Sequence, residues 1–165
     1  MPFTPFHMGP GIAVKAMLQG SFSLMVFGWS QIVMDLQPLW VLLSGHGRLH
    51  GFSHTFAGAT LLALLSAFTG KYLAAPGLVI IGMGTNKKPV EITWLVAILS
   101  AFIGCFSHVL LDAIMHPDMR PFYPWLADNG LLGILSLDNL HRFCLYSGLL
   151  GAALFYGICW HKRGA

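Results

Sequence analysis

The chain has 165 residues, of which 56% are hydrophobic and only 9% charged, with a net charge of +3. A soluble domain carries about a quarter charged residues, so this chain lacks the polar surface to stay dissolved as a monomer, and its mean hydropathy of +0.70 points to the bilayer as solvent. The small, scattered positive charge excludes a nucleic-acid surface, and the length suits one domain over 1–165.

The first residues, Met1-Pro2-Phe3-Thr4-Pro5-Phe6-His7, have no basic cluster and do not read as a cleaved signal peptide. A short helix is expected over 8–19, loosened at its start by Gly9-Pro10-Gly11, with a turn at Gly20. Ser21 is the expected N-cap of a second helix over 21–43, which Pro38 kinks or ends early. A polar, glycine-bearing loop over 44–51 leads into a third helix over 52–72. Residues 74–83 are apolar and glycine-rich and read as a half-helix or interfacial piece, followed by a turn over 84–89. A fourth helix is expected over 90–115, stopped by His116-Pro117-Asp118, then a loop over 120–138 and a fifth helix over 139–160. The long apolar runs approach the roughly 20 residues that a spanning helix needs. An open sheet in lipid is excluded by its unpaired edge groups, and no barrel-type alternation is present. The fold class is therefore all-α, an integral membrane bundle of about five helices, some short or re-entrant. Cys105, Cys144 and Cys159 have neither disulfide nor metal spacing and read as small core residues.

The few polar residues fall in a pattern. Lys15, Lys71, Lys87, Lys88, Lys162 and Arg163 mark one face. Counted from it at about 1.5 Å per residue, His7, Asp35, His54, His108 and His141 lie roughly 18 to 29 Å away. That is near the far boundary of a hydrocarbon core about 30 Å thick. His50 and His54 are four residues apart, as are His108 and Asp112, and Asp112 and His116. Residues i and i+4 share a helix face, so each pair points two ligands at one ion. Asp35 and Asp112 interrupt apolar runs, where an unpaired carboxylate is costly and an ionisable group is functional by default. The expected metal ligands are His7, Asp35, His50, His54, His108 and Asp112, holding one or two divalent ions. Zinc is the first choice, with manganese or iron as alternatives. Taken singly, His46, His116, His141 and His161 read more readily as interfacial packing residues, and a proton relay would use similar groups.

The same residues carry a family resemblance. Phe6-His7, Val33-Met34-Asp35-Leu36, Leu49-His50-Gly51-Phe52-Ser53-His54-Thr55, Ser107-His108-Val109-Leu110-Leu111-Asp112 and Pro121-Phe122-Tyr123-Pro124-Trp125 follow in order over about residues 1–126. This series resembles the inner-membrane-associated metal-dependent hydrolases, a family also described as LexA-binding. More distantly it is similar to the all-helical zinc-dependent phospholipase C and single-strand nuclease fold, where an N-terminal His, an Asp, a His and an H-x-x-x-D helix build a multi-zinc site. Met34 stands where the family has Pro, its second Asp is Gln37 or absent, and Gly51 replaces an Arg after the first His. The first departure removes one expected ligand. The second leaves an anionic substrate to Arg48, Arg120 or Arg142.

The leading functional class is a metal-dependent hydrolase at the membrane surface, in which paired ions polarise a phosphoryl or carbonyl oxygen and supply hydroxide near neutral pH. Asp112 is the expected bridging carboxylate. His54, His108 and Asp35 hold the first ion, and His7 and Asp112 the second, with His50 on either ion or behind one. Asp138, Asp118 or His116 is the candidate general base or orienting group. Arg48, Arg120 and Arg142 flank the layer and suit two-pronged phosphate binding, with interfacial snorkelling as the plain alternative. A lipid phosphodiester is the expected substrate and membrane lipid the expected partner, because the site opens at headgroup level. The competing class is a non-catalytic metal-binding protein or a metal or proton transporter. A transporter places its polar residues near the midplane, often in broken helices, whereas here they gather at one end. Six basic residues at the lysine face against three arginines at the other put the lysine face in the cytoplasm. The metal layer is then expected to face the outer side of a bacterial inner membrane.

Overall fold

A computed structural model describes residues 4–82 and 91–164 of the chain. It contains five helices: α1 (Thr4–Leu18), α2 (Leu24–Ser44), α3 (Phe56–Ile80), α4 (Trp94–Met115) and α5 (Leu137–Gly164), with no strand among the described residues. Short 3-10 turns at Gln19–Ser21 and Phe52–His54 precede α2 and α3. The expected turn over 84–89, with Lys87 and Lys88, and the expected helix start at Val90 lie outside the described residues.

Helices α2 to α5 are long and apolar enough to cross a membrane, at 21, 25, 22 and 28 residues. At 15 residues α1 extends only about 22 Å, short of the hydrocarbon core, so the bundle is four spans and one short helix. Local chemistry sets the ends. Ser23, Thr55 and Thr93 each accept a hydrogen bond from the backbone N–H three residues on, at 3.3, 2.9 and 3.3 Å, which satisfies an orphan donor of the first turn. Gly45, in the left-handed region at φ 71°, ends α2 through a bond from its N–H to the Val41 carbonyl.

Several boundaries differ from the sequence expectation. Ser23 caps α2, because Ser21 is taken up in the 3-10 turn. Pro38 lies inside α2, which continues to Ser44. Residues 74–80 are no separate piece: α3 runs through Pro76 and Gly77 to Ile80. In lipid a helix is the cheapest way to satisfy a backbone, and proline is tolerated there when neighbours compensate.

Small residues set the packing distances. A Cβ on Gly104 of α4 would stand 1.9 Å from Ser30 Oγ of α2, so these two helices approach at contact distance. Helix α1 packs mainly on α5: a Cβ on Gly9 would meet the Cys144 carbonyl at 1.9 Å, and one on Gly151 would meet Ala13 Cα at 2.6 Å. Close approach over glycine is the usual means of helix association where lipid offers no hydrophobic drive. Besides a small cluster of Leu111, Leu140 and Cys144 where α4 meets α5, two core clusters result. One, with Met34, Ala59, Ala63, Cys105 and Val109, surrounds the polar end. The other, with Val26, Ala67, Ala97 and Ala101, fills the lysine end. There Lys15 donates to the carbonyls of Gln19 and Phe22 at 2.7 Å, and Lys71 to that of Ile92.

Candidate metal centre

Four elements converge on one buried point. His7 comes from the first turns of α1, Asp35 from the middle of α2, His54 from the turn before α3, and His108 and Asp112 from successive turns of α4. The tight α2–α4 crossing at Gly104 and the fit of Gly58 beneath the Phe52 carbonyl bring these elements together. His7, His54, His108 and Asp112 are all at least 97% buried.

Asp112 is the hub. Its Oδ1 faces His7 Nε2 at 3.5 Å; its Oδ2 faces His108 Nε2 at 3.2 Å and His54 Nε2 at 3.8 Å. His108 Nε2 is also 3.5 Å from Asp35 Oδ1. Two sets of ligand atoms, one each from His7, His108 and Asp112 and one each from Asp35, His54 and His108, lie within 4.8 Å of one another. Ligands about 2.0–2.1 Å from a tetrahedral ion stand roughly 3.3–3.4 Å apart, close to these spacings.

The hydrogen-bond inventory agrees. Among the described residues, the buried side-chain atoms without a hydrogen-bond partner include both nitrogens of His7, Nε2 of His54, His108 and His116, and Oδ1 of Asp112. Leaving one buried polar atom unsatisfied costs about 1–3 kcal/mol. Such atoms gathered in one region, each a metal-ligating type, fit a divalent cation.

Two glutamines unmarked as site residues in the sequence reading fix the imidazoles. Gln31 donates through Nε2 to the Gly104 carbonyl at 3.0 Å, which leaves its Oε1 to accept from His108 Nδ1 at 2.9 Å. His108 therefore presents a single lone pair, on Nε2, and ligates one ion only. His54 Nδ1 donates to Ser53 Oγ at 2.8 Å, and the Ser53 hydroxyl in turn donates to Gln37 Oε1. A partner on Nδ1 in this way fixes the tautomer and raises ligand basicity. Gln37, expected as a lost ligand, is thus the end of a chain that orients one. Its amide lies where a Cβ on Gly51 would sit, 1.9 Å from Nε2, so the two departures from the resembled family, Gln37 and Gly51, fit each other. The available signal was Gln31 itself, a polar residue in an apolar run, one turn before Asp35.

A second group lies beside the first. His50 Nδ1 is 2.9 Å from Asp118, His50 stacks on His116 with centroids 4.4 Å apart, and the three residues offer ligand atoms within 4.8 Å. The charge balance suits ligation. Burial pushes His54 down to about 3, aided by His108, so it is neutral. Burial also lowers His116. Partial burial opposes charge on Asp118, but the bond and charge of His50 outweigh it and hold the carboxyl below its usual range.

The remaining candidates stand apart. Asp138 is exposed and pairs with Arg142 at 2.9 Å, and it belongs to none of these groups. His141 lies against the Phe6 ring, so α5 adds no ligand to the cluster. Arg48 and Arg120 are exposed. They lie two residues before His50 and two after Asp118, so that pair draws their segments together.

The sequence model of the family described as YdjM inner membrane protein matches residues 12–164. No curated protein and no solved structure matches the chain.

Proposed function

The chain belongs to the YdjM inner membrane protein family, and from that footing we propose that it is a membrane-embedded metal-dependent hydrolase acting on a phosphoester carried by a lipid headgroup. One observation carries this reading: Oδ1 of the buried Asp112 carboxylate faces His7 Nε2 while Oδ2 faces Nε2 of His108 and of His54, and none of these three nitrogens has a hydrogen-bond partner. That is the arrangement of a carboxylate bridging two ions. A purely structural polar cluster would pair its own atoms.

In this reading Asp35, His54 and His108 would hold one ion and His7 the other, with Asp112 shared between them. Zinc suits the His-rich set, with manganese or iron as alternatives. The chemistry such ions supply is Lewis-acid polarisation of a phosphoryl oxygen and activation of water near neutral pH. His116, kept neutral by burial, has an unpartnered Nε2 to take the proton, while the His50–Asp118 pair stacks against it and fixes its ring. Asp138 would serve only by parting from Arg142. Arg48 and Arg120, with Arg142 further out, would grip the non-reacting phosphate oxygens. The excess of basic residues at the other end supports a site on the non-cytoplasmic side.

The test is elemental analysis of purified protein, followed by hydrolysis of a soluble phosphodiester and of phospholipid vesicles, with and without chelator. Bound zinc, manganese or iron and a chelator-sensitive release of product are expected. Bound metal with no hydrolysis of any phosphoester would instead make the protein a metal binder.

A further inference from the structure

A cavity of ≈ 760 Å³ lies between α2 and α3, below the metal centre, and its lining is apolar. One wall is a stripe on α2: Met25, Gly28, Trp29 and Ile32, at the i, i+3, i+4, i+7 spacing of one helix face. The next position of that stripe, one turn beyond Ile32, is Asp35, the most exposed residue of the inner cluster at 36%. The opposite wall, on α3 and its end, sets small residues among Leu73, Pro76, Ile80 and Ile81. Gly70, Ala74 and Gly77 of α3 share one face and leave a trough. Trp29 is held over it by a bond from its indole N–H to Thr69 Oγ1 at 2.8 Å. Met8, the neighbour of His7, adds to the lining, its Cε 3.4 Å from where a Cβ on Gly28 would stand. Along α2 the cavity runs from Ile32 back to Leu24, about 12 Å toward the lysine end.

We propose that this groove holds one acyl chain of the lipid whose headgroup reaches Asp35. Both helices that form it are membrane spans, so hydrocarbon chains are the solvent at its open side. An apolar trough that starts one helical turn from the partly exposed Asp35 carboxylate and runs along α2 toward the lysine end has the polarity order of a phospholipid. The headgroup end of this proposal rests on the hydrolase reading; the chain end does not. The site would discriminate against phosphoesters that lack a long chain.

The protein is reconstituted in phosphatidylglycerol vesicles doped with phosphatidylglycerol bearing a diazirine midway along one acyl chain. After irradiation the adducts are mapped by mass spectrometry. Adducts are expected on Met25, Trp29 and the segment 70–80 in preference to the lipid-facing Leu149 and Leu150 of α5. Two variants fill the groove. Ile32→Trp enlarges a half-exposed side chain. Gly77→Leu displaces only the flexible end of Met25, whose Cε lies 2.7 Å from the new Cβ. Each should lower groove adducts about tenfold with metal content and melting temperature unchanged. Adducts spread evenly over α2, α3 and α5 and indifferent to both variants would overturn the proposal. Cross-links from the groove to a second copy of the chain would overturn it too. Groove adducts without any phosphoesterase activity would keep the chain site and remove the hydrolase. Hydrolysis of a soluble phosphodiester without groove adducts would do the reverse. With both intact, the variants raise KM for long-chain phospholipid about tenfold and leave the soluble diester unaffected.

Discussion

Gln31 Oε1 accepts the Nδ1 proton of His108 at 2.9 Å, joining α2 to the ligand-bearing turn of α4 across 77 residues of sequence. The bond makes Gln31 a positioning residue with a measurable role. Gln31→Leu fills a similar volume but frees the imidazole to turn and to change tautomer. Loss of such a partner costs a metal site about 10–100-fold in affinity. Competition with a chromophoric chelator should show that loss with an unchanged circular-dichroism spectrum. Unaltered affinity would make the bond incidental.

His108→Ala and Asp112→Ala remove the shared imidazole and the hub carboxylate without cutting a span. Both should purify folded in detergent, with bound metal reduced to background in elemental analysis and hydrolysis abolished. A variant that keeps its metal would place the ligand elsewhere. One that fails to fold would make the cluster a structural strut.

The metal-free protein should weaken in acid. Folding lowers the proton affinity of His54 from about 6.5 to about 3, so between those pH values the unfolded chain binds the extra proton. Stability then falls as pH drops through that window, by up to about 1.4 kcal/mol per pH unit for one group. Above about pH 6.5 the ring is neutral in both states and contributes no slope. Melting of chelator-treated protein from pH 7 to pH 4 reads this directly, and His54→Gln should flatten the curve. An equal slope in that variant would assign the acid sensitivity to other groups.

Gly151→Val tests the α1–α5 contact. A Cβ there would meet Ala13 Cα at 2.6 Å, against backbone that cannot step aside. Overpacking of this kind costs about 1–3 kcal/mol, and His7 would be displaced with α1. Lower metal stoichiometry with α2 to α4 still protected from hydrogen exchange is the expected result. Full occupancy in this variant would show that His7 is dispensable.

Orientation is open to direct labelling. In a chain with its three cysteines replaced by alanine, His46→Cys at the metal end should react with an impermeant maleimide from the outer side. Lys162→Cys should react only after the cytoplasmic side is opened. The reverse pattern would move the chemistry to the cytoplasm.

Much of this was legible in the sequence, for identifiable reasons. Uninterrupted apolar runs announced the spans, because lipid permits little else. The i, i+4 pair His108–Asp112 announced a shared face, and equal depth on several helices brought His7, Asp35 and His54 to it. What stayed hidden depended on contacts between helices. Pro76 and Gly77 read as breakers because their tolerance comes from the membrane surroundings. Ser21 and Ser23 are equivalent caps on paper, and the 3-10 turn decides between them. Gln31 and Gln37 looked like interruptions or losses, since nothing local shows that the amide of Gln31 ends on His108 and that of Gln37 on Ser53, the partner of His54.

The first ligand in the chain is carried by the helix least able to hold itself in place. Helix α1 is too short to cross the bilayer and rests mainly on α5, which leaves the ribosome after the other four. Until α5 has been released by the insertion machinery, α1 and His7 lack their main support, while the elements that carry Asp35, His54, His108 and Asp112 are already made. In the proposed site, biogenesis would then pass through a stage with an incomplete ligand set, and hydrolysis would wait for the last helix to arrive. A nascent chain halted before α5 would be inserted yet inert.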